Sequence, residues 1–143
     1  MQRRAEGALE EAVKYAKDRS VFGRAVADFQ GMRWKIAEMY RDIEAARSIL
    51  YRACATADPF PDPLLAAAAK VTVNEMALRV TSDAIQVHGG YGFTDEFPVS
   101  RFYRGARYGT LGGGTSETLR DLIGKRVIAG LDPVDGILGL GAF

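Results

Sequence analysis

The chain is 143 residues long, 48% hydrophobic and 26% charged, and its 19 Lys+Arg against 18 Asp+Glu leave a net charge of +1. Such a balance gives no chain-wide pull toward nucleic acid or an anionic membrane surface, and the apolar runs fall far short of the roughly 18 residues a membrane span needs. The one cysteine, Cys54, excludes an internal disulfide and a Cys-rich zinc site, so no metal centre is expected; with an N-terminus, MQRRAEGALEEAVKYAKDR, lacking the apolar core of a secretion signal, the expectation is one cytoplasmic domain.

Of the 16 glycines only Gly7, Gly23 and Gly31 precede residue 89, so an Ala-rich front suited to close-packed helices gives way to a rear suited to turns and close backbone approach. Apolar residues at 5, 8, 9, 12, 13 and 16 predict a first helix over about 2–18, with Glu6, Glu10, Glu11, Lys14 and Lys17 on its other face. It stops near Arg19–Gly23. From Gly31, the stripe Trp34, Ile36, Met39, Tyr40, Ile43, Ala46, Leu50, Ala53 predicts the longest helix. Trp34, with Met32 and Met39, is expected in the core or an interface, and Cys54 as a small core residue. The three prolines of ADPFPDP, residues 57–63, end this helix.

A third helix runs from Leu64 through Val71, Met76, Val80 and Val87 to the Gly89-Gly90 stop, with Asp62 before Pro63 as its N-cap. Two long helices joined by so short a loop lie antiparallel. A shorter helix is expected over Val99–Arg107. After GTLGGGTSE, Ser116 or Thr115 caps a last helix to about Ala129 carrying Leu119, Leu122, Ile123 and Val127. Residues 131–143 have no periodicity and are expected to form an irregular tail. Strand alternation is lacking, so residues 1–130 read as an all-α up-down bundle.

The breaks carry what chemistry there is. DRSVFGRAVADFQ, QVHGGYG and GGGTSE each place glycine beside polar donors, and the last combines it with a helix N-terminus, the arrangement best suited to an anion. Arg19 and Arg24, flanking Phe22, offer guanidinium groups for a phosphate and an aromatic edge for a ring system.

Together and in this order, YAKDRSVFGRAVADFQGMRWKIAEM, EAARSILYRA, AAAAK, AIQVHGGYGFTDEFPVSRFYRGAR and GTSETLRDLIGKRVI resemble the C-terminal helical domain of the acyl-CoA dehydrogenase family over residues 5 to about 130. The resemblance implies a four-helix bundle packed at the centre of a homodimer or tetramer, FAD as cofactor, an acyl-CoA substrate dehydrogenated at Cα and Cβ, and an electron-transfer flavoprotein as electron acceptor. It implies that Arg19, Phe22, Gln30 and the turn Gln86, Val87, His88, Gly89, Gly90 meet the FAD of a neighbouring subunit. By the same resemblance Thr115, Ser116 and Glu117 hold the chain's own FAD near its ADP part.

Two positions depart from the family pattern. The usual catalytic Glu and the aromatic before it correspond to Gly113 and Gly112, and glycine has no carboxylate. The branch that places this Glu on the first helix does so at a position upstream of Met1. Ser100 and Gly105 replace acids, so Arg101, Arg104 and Arg107 need other partners. His88 is expected to pack and hydrogen-bond rather than act as a catalyst. Other readings are a non-catalytic assembly subunit or a flavin-dependent oxidase or monooxygenase. Alone, the chain is expected to bind FAD weakly and to self-associate through the second and third helices.

Overall fold

A computed structural model describes residues 1–130; the expected tail, 131–143, lies outside the described residues. Five helices form: α1 (Gln2–Asp18), α2 (Gln30–Ala55), α3 (Pro63–His88), α4 (Val99–Gly109) and α5 (Ser116–Ile128). The all-α expectation holds, with one addition in the first break. There a two-residue ladder, β1 (Ser20–Val21) with β2 (Arg24–Ala25), precedes a 3-10 turn at Val26–Asp28.

Each long helix starts and stops for a local reason. The Asp62 carboxylate accepts from the Leu65 amide at 2.8 Å and Pro63 occupies the first turn of α3, which ends at Gly89 with φ +61. Thr115 caps α5 by accepting from the Thr118 amide at 3.2 Å. On α1, Ala5, Ala8, Ala12 and Ala16 are fully buried, an i, i+3, i+7, i+11 stripe of methyl groups that lets α1 lie close on its neighbours.

Cross-helix contacts fix the directions. Lys35 pairs with Asp83 at 2.7 Å and Arg79 with Asp42 at 3.2 Å, so α2 and α3 run antiparallel. Tyr15 stacks on His88 while Met1 and Asn74 both lie against Gly109, so α1 runs parallel to α3 and antiparallel to α2, to which the Arg47–Glu6 pair at 2.8 Å ties it. Arg120 on Glu75 and Arg126 against Asp62 at 4.0 Å set α5 antiparallel to α3. Phe97 meets His88 and Gly109 meets Asn74, so α4 also runs against α3, and the directions are up, down, up, down, down, with α3 as the axis that touches α1, α2, α4 and α5. Met39, Ile43, Met76, Val80 and Val99 fill the core.

Two expectations are corrected. Cys54 is exposed, because it faces away from the side of α2's last turn on which Ala53 is buried. Trp34 is 64% exposed, so of the core and the interface expected for it only the interface stays open, and Tyr40 and Tyr51 likewise face outward. The apolar residues of α2 wrap more of its circumference than α1 and α3 can cover. Conversely α3, expected to offer an interface, exposes only Pro63, Arg79, Ser82 and Gln86, since its other sides are already occupied.

Candidate functional site

The site residues gather at the two ends of α3. At its C-terminal end, α1 stops at Asp18 and the chain doubles back through the turn Phe22-Gly23, where both residues have positive φ, +51 and +79. That pair gives the twist a two-residue hairpin prefers. A non-glycine residue there is strained, yet Phe22 is 97% exposed and returns almost no packing among the described residues. The ring is held outward at a cost.

Opposite the hairpin, α3 ends in His88, which is 2% exposed. Its Nδ1–H donates to the Ala84 carbonyl at 2.8 Å, and Nε2 is buried with no hydrogen-bond partner among the described residues. The imidazole stacks on Tyr15 at 4.3 Å between centroids and meets Phe97 edge-on at 5.2 Å. His88 is therefore a packed ring, as expected of it. Past it, Gly92 is buried so closely on α3 that a Cβ would stand 2.6 Å from the Ile85 carbonyl oxygen.

Between hairpin and helix end lies an open groove of about 810 Å³. Arg19, Phe22, Gln86, Val87, His88, Gly89 and Gly90 all line it, which brings together residues from the first two breaks. Gln30 is exposed at the first turn of α2, between the lining residues Phe29 and Gly31. The Arg19 guanidinium lies 5.7 Å from the Tyr91 ring centre and that of Arg24 lies 3.8 Å from Phe29, so rings carry the cations that border the groove. A Cβ at Gly89 or Gly90 would meet nothing within 4 Å, which leaves their backbone open to a ligand. Tyr15, Phe29 and Tyr91 also line the groove; they lie within the quoted motifs but have no role assigned from the sequence, because their rings converge only after folding.

At the other end of α3 stands the turn between α4 and α5. Gly113 and Gly114 adopt φ +65 and +94, so these glycines have a conformational reason independent of any lost carboxylate. The Lys70 ammonium donates to the carbonyls of Gly112 at 3.0 Å, Gly114 at 3.1 Å and Gly113. One turn along, the buried Asn74 amide donates to the Gly109 carbonyl at 2.7 Å. Neither polar residue was singled out for a role from the sequence. Partners 42 and 35 residues away leave no periodic trace.

Thr115, Ser116 and Glu117 follow this turn. Ser116 is buried, and the Glu117 carboxyl is held below the ordinary glutamate value by a hydrogen bond from its own backbone amide and another from the Thr115 hydroxyl. The departures from the family pattern also find physical explanations. Gly105 leaves room for the Arg4 side chain, whose guanidinium would collide with a Cβ there. Arg104 pairs instead with Asp95 at 3.0 Å, and Arg107 donates to the Thr110 hydroxyl.

Comparison with known proteins agrees with this architecture. Residues 1–128 match the family model described as acyl-CoA dehydrogenase, C-terminal domain. The chain is 44% identical over 116 residues to a 3-sulfinopropanoyl-CoA desulfinase of Paraburkholderia xenovorans, covering 81% of this chain and 30% of that protein. It is 42% identical over 114 residues to a short-chain specific acyl-CoA dehydrogenase of Megasphaera elsdenii, covering 79% and 30% respectively. Its fold is similar to the solved butyryl-CoA dehydrogenase of Megasphaera elsdenii, with TM-score 0.83 and 39% identity over 87% of this chain and 33% of that one. The chain thus spans about a third of the length of the relatives it matches. No helix among the described residues is long and apolar enough to cross a membrane.

Proposed function

The chain belongs to the acyl-CoA dehydrogenase family through its C-terminal domain, and from this premise we propose that it supplies FAD contacts and the oligomer interface of an oxidoreductase acting at Cα and Cβ of an acyl-CoA thioester. The observation that carries the proposal is the separation of the two clusters along one helix. Lys70 and His88 lie 18 residues apart on α3, about 27 Å at 1.5 Å per residue. The groove and the glycine turn are thus two separate contact sets on one rigid rod. Such a rod suits a closed oligomer in which Arg19, Phe22, Gln30 and Gln86–Gly90 meet a neighbour's FAD while Thr115–Glu117 meet the chain's own.

The residues present fit that cofactor. Gly89 and Gly90 offer unobstructed backbone, Arg19 a guanidinium and Phe22 a projecting ring. FAD, when bound, supplies the hydride acceptor. This chain's residues bind and orient it. In this reading an electron-transfer flavoprotein takes the electrons onward. Gly113 has no group to take the Cα proton, so the base lies outside this turn. The interface falls on α2 and α5, whose Trp34, Tyr40, Tyr51, Val127 and Ile128 are exposed.

Gly113 also favours a second reading, in which the substrate is an acyl-CoA bearing a sulfinate, as in the name of the desulfinase relatives. A turn without a carboxylate suits a reaction that draws no proton from Cα at this position.

Titration of the isotopically labelled chain with millimolar FAD tests the main reading. Amide shifts at Arg19–Gln30, Gln86–Gly90 and Thr115–Glu117 are expected, with affinity weaker than micromolar and with dimers or tetramers in sedimentation. Shifts elsewhere, or a monomer throughout the micromolar range, would overturn it.

A further inference from the structure

We propose that Lys70 is a positioning residue: its ammonium folds the Gly112–Gly114 turn and so fixes the outward amides of Gly113, Gly114 and Thr115 where a flavin nucleotide meets them. The second half of this statement rests on the reading of Thr115–Glu117 as an FAD segment.

The stoichiometry is the first argument. An ammonium has three donors, and Lys70 spends all three on the carbonyls of Gly112, Gly113 and Gly114. It has none left for a ligand, so its contribution is to shape rather than to bind. The path of the turn is the second: Gly113 and Gly114, at φ +65 and +94, take left-handed conformations that strain most side chains, and at Gly112 a Cβ would stand 2.7 Å from the Tyr108 ring.

Peptide planarity then dictates the rest. In a trans peptide the N–H points opposite the C=O of the same unit. With the three carbonyls aimed at Lys70, the amides of Gly113, Gly114 and Thr115 aim away from it, and among the described residues they donate to no backbone carbonyl. They precede the first turn of α5, whose Ser116 and Thr118 amides are already taken by the Thr110 carbonyl and the Thr115 hydroxyl oxygen, so the free donors at this helix end are those of the glycine turn.

The anchor itself is rigid. Lys70 emerges from α3 between the buried Ala69 and Val71. Asn74, one helical turn away, fastens Gly109 at the start of the same connection, and the Ser116 amide closes it on the Thr110 carbonyl at 3.2 Å. At Gly113 itself a Cβ would meet nothing within 4 Å except the Lys70 ammonium, at 3.2 Å. Without that charge three carbonyl dipoles converge on an empty point, and the turn has reason to reopen.

The test uses this chain, with ADP at millimolar concentration as the probe. In Lys70→Met, exchange of the hydrogen-bonded amides Gly112, Ser116 and Thr118 is expected to quicken by about tenfold or more while α1–α3 protection is unchanged, and ADP-dependent shifts at Gly113–Glu117 are expected to vanish. Lys70→Cys in a Cys54→Ser background, treated with bromoethylamine, rebuilds an ammonium of nearly the same reach and is expected to restore both signals. This also serves as the comparison if Lys70→Met fails to fold, since the same protein is read before and after treatment. Unaltered exchange in the variants, or undiminished ADP shifts despite a loosened turn, overturns the proposal. Should exchange respond while the unmodified chain shows no ADP shifts at Gly113–Glu117, the nucleotide reading falls and the folding of the turn by Lys70 stands.

Discussion

The two ends of α3 solve the same problem, opening backbone to a ligand, by different means. At the C-terminal end the framework is aromatic: Tyr15, His88 and Phe97 pack ring on ring behind a groove edged by Arg19 and Gly89–Gly90. At the N-terminal end it is polar, with one ammonium and one buried amide gripping a chain of carbonyls. Glycine therefore means different things at the two places. Gly92 is there because no side chain fits, whereas Gly113 is there because its φ strains most side chains.

The largest effect is expected where space decides. Gly92→Ala would drive a methyl to 2.6 Å from the Ile85 carbonyl oxygen and 2.9 Å from its Cα, and backbone cannot swing aside as a long side chain can. A loss of about 2–3 kcal/mol in urea unfolding is expected. A loss below about 0.5 kcal/mol would show that the groove end is looser than its packing implies.

At the other end conformation decides, and the penalty should be smaller. Gly113→Ala keeps the backbone path but puts a Cβ at φ +65, worth about 1–2 kcal/mol. Equal losses for Gly92→Ala and Gly113→Ala would erase the distinction between the two glycine roles. A carboxylate placed here by Gly113→Glu meets the same backbone strain, which explains in physical terms why the position is a poor place to regain a base.

What the sequence made legible follows from the range of each signal. The α1 stripe, the Asp62-Pro63 start of α3, its Gly89 stop and the Thr115 cap are all local, and each was read to within a residue or two. The hairpin at Ser20–Ala25 was not, because two-residue strands have no periodicity to detect. Cys54 was misplaced, and Trp34 left open between core and interface, because periodicity marks an apolar face without saying whether a partner covers it. Of the eight residues that the resemblance assigns to a neighbour's FAD, seven line one groove, while the convergence of Tyr15, Phe29 and Tyr91 there, and of Lys70 on the glycine turn at the other cluster, depends on contacts between distant segments.

Phe22 sharpens the comparison with a change of opposite sign. Its ring is 97% exposed and its φ is +51, so removing it forfeits little packing and relieves strain. Phe22→Asn, which tolerates the left-handed region, is expected to raise stability by about 0.5 kcal/mol while weakening FAD-dependent shifts along the groove. A destabilised Phe22→Asn would mean that the ring packs somewhere in solution, and its outward strain would no longer point to a ligand.

The smallest effect is expected at Glu117, on the polar end. Its carboxyl sits below the ordinary value of 4.5 because its own backbone amide, and after it the Thr115 hydroxyl, donate to the charged form. A carboxyl depressed by folding contributes its stability above the unfolded value and loses it as pH falls through the folded one. Protection of the first-turn amides of α5 should therefore decline on acidification below 4.5, later than a free glutamate would titrate, with α1 and α3 protection unmoved. Glu117→Gln, which cannot ionise, should lack that decline. If the variant and the unmodified chain lose protection in parallel, the acid response belongs to another carboxyl, and Glu117 contributes nothing to holding this end of the helix in shape.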